Sequence, residues 1–113
     1  AGIGVTVATA LDRHDRIVLG LETARARFDR GLITAPENDS AVAALRAVLS
    51  VDPGNRAAEA LMVRCAMRLA AVAKTADAAR MKNVGRQYLT LALEIRPEEP
   101  DWLALRDRWN RDD

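Results

Sequence analysis

A chain of 113 residues, half of them hydrophobic and 29% charged, with a net charge of +1, has the balance of one globular domain rather than a disordered segment. Acids and bases are interspersed, so there is no basic stripe to neutralise phosphates, which excludes nucleic acid as a partner. One histidine and one cysteine cannot supply a disulfide or the clustered ligands of a zinc site, and no run of about 18 apolar residues spans a membrane.

Only Phe28, Tyr88, Trp102 and Trp109 are aromatic, and the remaining apolar content is mostly alanine, leucine and valine. Alanine is the strongest helix former and lets helices approach closely, so the composition favours packed helices over a sheet. Arginine outnumbers lysine fifteen to two, which with the alanine abundance points to a GC-rich bacterial genome.

The chain begins at Ala1 without methionine, as a processed or excised fragment does. Residues 1–11 carry no charge and turn abruptly into Asp12-Arg13-His14-Asp15-Arg16. They read as the stub of a membrane helix or signal segment, as a short strand, or as a disordered leader. Gly2 and Gly4 lack the third glycine and the preceding strand of a phosphate-cradling loop, so no cofactor is expected there.

Along the chain, Ile17, Leu21, Ala24 and Phe28 fall at steps of four, three and four, predicting a helix over 15–30 that Gly31 stops. A loop follows over 32–38. Asp39 or Ser40 caps a second helix with apolar Ala41, Leu45 and Val48, flanked by Val42 and Leu49, and it closes at Asp52-Pro53-Gly54-Asn55. The third helix runs from Arg56 to about Ala73 or beyond on the stripe Ala58, Leu61, Cys65, Leu69, Val72 and Ala76, with Met62, Ala66 and Ala70 beside it. Its broad apolar circumference predicts a central helix covered on more than one side. Thr75, Asp77 or Asn83 could each open the fourth helix, which carries Val84, Tyr88, Leu91 and Ile95, with Leu89 and Ala92 alongside, and stops before Pro97. A fifth helix follows the turn 97–101 with Trp102, Leu105 and Trp109 on one face. The fold class is therefore all-α, five helices in antiparallel hairpins over 12–113.

Two helix ends echo each other: Val48-Leu49-Ser50-Val51-Asp52-Pro53 and Ala92-Leu93-Glu94-Ile95-Arg96-Pro97, with the prolines 44 residues apart. On these residues, and on Leu89 and Gly85 counted back from Pro97, residues 15–109 resemble the tetratricopeptide (TPR) repeat family. The spacing exceeds the family's repeat of about 34 residues, the aromatic early in the first helix is missing, and residues 31–36 replace a tight turn by a loop. The resemblance implies a right-handed TPR-like stack with a C-terminal capping helix. It also implies a protein or peptide partner and the extracytoplasmic setting that such degenerate repeats have in bacterial envelope and signalling proteins, downstream of a membrane anchor.

No residue stands in a catalytic arrangement. His14 lies among exposed charges at a helix start, and Cys65 sits between Leu61 and Leu69 as a small core hydrophobe. Arg64 and Arg68, one turn apart, read either as helix-edge residues or, by the family's geometry, as holders of a bound peptide's carboxylates. Trp102 and Trp109 read as the seal of the helical stack or as an exposed anchor. The expected role is a non-catalytic interaction or scaffolding module of a larger protein, with a homodimerisation domain and a small-molecule sensor as alternatives.

Overall fold

The computed structural model describes residues 12–112, and among these there are five α-helices and no strand: α1 (Arg13–Asp29), α2 (Ala41–Val51), α3 (Arg56–Ala78), α4 (Lys82–Ile95) and α5 (Pro100–Arg111). The chain is all-α, as its periodicity predicts. The uncharged leader 1–11, with Gly2 and Gly4, lies outside the described residues. The chain divides into two compact units between Leu61 and Met62, inside α3.

In the first unit α1 and α2 form an antiparallel hairpin. The Asp12 carboxylate caps α1 by accepting from the Asp15 N–H at 2.8 Å. At that end Arg13 donates to the Val51 carbonyl at 3.1 Å and pairs with Asp52 at 3.2 Å. At the other end Arg27 donates to the Ser40 carbonyl at 3.2 Å. The loop between them satisfies the first donors of α2. Ala41 and Val42 donate to the Leu32 and Ile33 carbonyls, and Ala43 donates to the hydroxyl of buried Ser40, which is therefore the cap. Ala24, Phe28, Ile33, Ala41, Val42, Ala44, Leu45 and Val48 are buried, and an added Cβ at Gly20 would collide with the Val48 side chain.

In the second unit Cys65, Ala66, Leu69, Ala70, Ala73 and Ala76 of α3 are buried. Ala73 takes the place expected of Val72, which is 37% exposed. The cause is close packing: a Cβ built on Gly85 of α4 would lie 3.1 Å from the Ala73 carbonyl, so α3 turns a small residue to that side. The buried row of α4 is Gly85, Leu89, Ala92 and Leu93, whereas the expected stripe of Val84, Tyr88, Leu91 and Ile95 is only half-buried. Trp102, Leu105 and Trp109 of α5 are buried together.

The helix ends explain which boundaries are sharp. After α1, the Leu32 N–H donates to the Arg27 carbonyl and Gly31 donates to Phe28, with Gly31 at φ 78°. After α3, Met81 donates to Ala76 and Arg80 donates to Asp77, with Arg80 at φ 63°. Both are the paired 6→1 and 5→2 closure with a left-handed residue. At Arg80 a side chain sits where glycine carries no penalty. Arg80→Gly is therefore expected to raise stability by about 0.5–1 kcal/mol, read from the urea midpoint.

The two proline endings share one backbone path. Asp52 has φ −137° and ψ 84°, and Arg96 has φ −128° and ψ 79°. In each, an N–H three residues on donates back to that residue's carbonyl (Asn55 to Asp52, Glu99 to Arg96), and the next helix begins one residue later.

Candidate interaction surface

The sequence predicts that α3 is covered on more than one side, yet one whole side of it is exposed. In the second unit Arg64, Arg68, Ala71, Thr75 and Ala78 follow steps of four, three, four and three, with Met67 and Lys74 beside them, and all seven are exposed. Met67 is 58% exposed, the most of any large hydrophobic described. The strip faces away from α4, whose Gly85 meets α3 on the Ala73 and Asp77 side. Its charges are three cations, Arg64, Arg68 and Lys74, without a carboxylate. The only acid of Met62–Ala78, Asp77, is half-buried on the α4 side.

Of the residues singled out from sequence, Arg64 and Arg68 thus lie together on an exposed face, where each engages a further group. Trp102 and Trp109 are each only 7% exposed, so both indoles belong to the interior of the second unit and not to its surface. His14 is exposed in the first turn of α1.

Cys65 is fully buried, and burial pushes its thiol up to about 11 from 9.0, against a smaller opposing pull from the Arg64 charge. A thiol held protonated is a poor nucleophile. The sign follows by linkage. Above about pH 9 the unfolded thiol loses its proton while the folded one keeps it, so this group's stabilisation declines from pH 9 to about 11. Urea midpoints across that range are expected to fall more steeply for the natural chain than for Cys65→Ala.

A second feature was not legible in the sequence. The half-buried guanidinium of Arg86 donates to the Trp109 carbonyl at 3.0 Å, meeting a carbonyl of the last turn of α5. Beside it a cleft of about 110 Å³ is lined by Asp77, Lys82, Arg86, Arg108, Trp109 and Asp112. The cleft gathers residues from the end of α3, the start of α4 and the end of α5, which no local pattern brings together. Its volume is well below the roughly 300–1,000 Å³ of small-molecule pockets, and its two carboxylates offset two of its three cations. A depression of about 410 Å³ over Arg96, Pro97, Glu98, Glu99 and Pro100 is larger, but these are consecutive residues of one turn without an opposing wall.

Among the described residues no group of three or more His, Cys, Asp or Glu could hold a metal ion, and no helix is long and apolar enough to cross a membrane. No family model, curated protein or solved structure matches this chain.

Proposed function

We propose that this chain is a TPR-like helix-hairpin module that binds another protein and performs no chemistry itself. The carrying observation is the exposed side of α3. A helix with Met67 and Ala71 facing solvent among Arg64, Arg68 and Lys74, and Ala78 exposed one turn beyond, is a surface left for a partner. The two matching proline turns support the TPR-like reading, since a helix-turn-helix unit recurring at fixed spacing is how such repeats are built. Face binding is favoured over pocket binding by the small volume of the cleft at Arg86. The protonated, enclosed thiol of Cys65 and the solvated His14 offer no nucleophile with its base.

The test is site-specific photo-cross-linking in cells that make the protein. A photoreactive residue at Ala71 is expected to give a discrete adduct that the same residue at Thr23, exposed on α1, does not. An adduct of twice the chain mass would identify self-association instead. Absence of any adduct from Met67, Ala71 and Ala78 would refute the reading.

A further inference from the structure

We propose that the outward face of α1 pairs in parallel with the same face of a second copy of this chain, an inference independent of the α3 strip. Asp15-Arg16, Glu22-Thr23 and Asp29-Arg30 recur every seven residues, with Leu19 and Ala26 between them, and all eight residues are exposed. Leu19 is 49% exposed, on the side of α1 opposite the buried Ala24 and Phe28. Counted from Leu19, Asp15 lies four back and Glu22 three on, whereas Arg16 lies three back and Thr23 four on. An acidic row and a basic row therefore run along opposite sides of a Leu19–Ala26 seam. Among the described residues, the side chains of Asp15, Arg16, Glu22, Asp29 and Arg30 make no hydrogen bond or ion pair, so both rows are open to a partner.

Charge complementarity makes the occupant a second copy. Two parallel helices related by a two-fold axis set one flank of each against the opposite flank of the other. Asp15 then stands beside Arg16 of the other copy, Glu22 beside Thr23 and Asp29 beside Arg30, each pair offset by one residue's rise of about 1.5 Å. Ala26 lets the two helices approach closely, and Leu19 meets its own counterpart. The antiparallel arrangement would set Asp15 against Asp29, Glu22 against Glu22 and Arg16 against Arg30, which like-charge repulsion opposes.

Sedimentation equilibrium of the whole folded chain at low salt is the test, with a reversible dimer expected that weakens as salt rises. Leu19→Glu places like charges at the seam and is expected to weaken the dimer at least about tenfold. Leu19 is half in solvent, so the melting temperature is expected to hold. Thr23→Arg completes the basic row opposite Glu22 and is expected to tighten the dimer about threefold, a gain that misfolding cannot produce. Ala26→Cys, treated with oxidised glutathione, is expected to close a disulfide between two copies, because parallel pairing brings each residue to its own counterpart. A photoreactive residue at Thr23 is expected to give only an adduct of twice the chain mass, whereas the separate partner is taken up from Ala71. A chain that stays monomeric at every concentration would overturn the proposal, as would a dimer indifferent to Leu19→Glu and Thr23→Arg. A disulfide that forms only when Leu19→Cys is mixed with Ala26→Cys would show antiparallel pairing and overturn the parallel one. An adduct of any other mass at Thr23 would give the face to a different protein and overturn the second copy as its occupant. None of these outcomes bears on the α3 strip, which stands or falls by its own cross-links.

Discussion

Leu69→Asp is expected to abolish the folded second unit at neutral pH, with a loss of at least about 4 kcal/mol. Leu69 is only 2% exposed and stands on α3 among Cys65, Ala66, Ala70 and Ala73, all buried. Removing its side chain forfeits burial and leaves a cavity, which for Leu→Ala costs roughly 2–5 kcal/mol. The aspartate adds a polar group at a buried position whose buried companions along α3 are alanines and a thiol, so it is either charged at a high desolvation cost or protonated at a cost. Total stability of a small domain is about 5–15 kcal/mol, and an alanine-rich core sits at the thin end of that range. The pH dependence identifies the mechanism. Burial raises the introduced carboxyl's pKa above its unfolded value, so the penalty is smallest in acid and grows as pH rises from about 4. Helical circular dichroism during thermal melts at acid and neutral pH reads both effects. An unchanged melting temperature would place Leu69 outside the interior.

The helix endings show what the sequence could reveal and what it could not. Both α1 and α3 close with the same pair of hydrogen bonds, yet only the first closure is visible in sequence, because Gly31 advertises the left-handed residue and Arg80 does not. The fourth helix is equally unannounced. It begins after Met81, which makes no side-chain cap, so Thr75, Asp77 and Asn83 were plausible starts for a chemistry that is absent. Ser40 and Asn55, by contrast, each accept the N–H that capping residues normally accept, and the helices behind them begin where the polar residue says, whereas Asp12 caps α1 so that it starts two residues ahead of the start at 15 that the apolar spacing suggests.

The candidate surface was legible in part, for a related reason. Arg64 and Arg68 stand out because guanidinium groups one turn apart on an apolar helix need an account. Ala71 and Ala78 do not, since alanine serves equally at the closest interhelical contact, as Ala73 does, and on an open face. A helix rich in alanine therefore looks apolar all round and conceals which side is free. The one-residue shift in α4 has the same origin. Its large residues Val84, Tyr88, Leu91 and Ile95 suggest the inner row, but the approach to α3 is close enough that the inner row must include Gly85 and Ala92.

Trp109→Ala is expected to cost about 3–5 kcal/mol, the range for truncating a large buried aromatic. The indole is 7% exposed, and a Cβ built on Gly85 would fall 3.6 Å from its Cη2. The ring therefore occupies the space that the missing side chain of Gly85 leaves open, and α4 has nothing else at that position to refill it. The bond from the Arg86 guanidinium to the Trp109 main-chain carbonyl survives the substitution, so the loss does not include it. Urea unfolding checks this, with Trp109→Phe expected to keep part of the stability because an aromatic ring still fills part of the space. The outcome also separates two roles for the residue. A tryptophan serving as an exposed anchor would change stability by no more than about 0.5 kcal/mol on truncation and would lose binding instead. A tryptophan that seals α5 onto α4 loses the fold first, and any binding defect then follows the fraction unfolded.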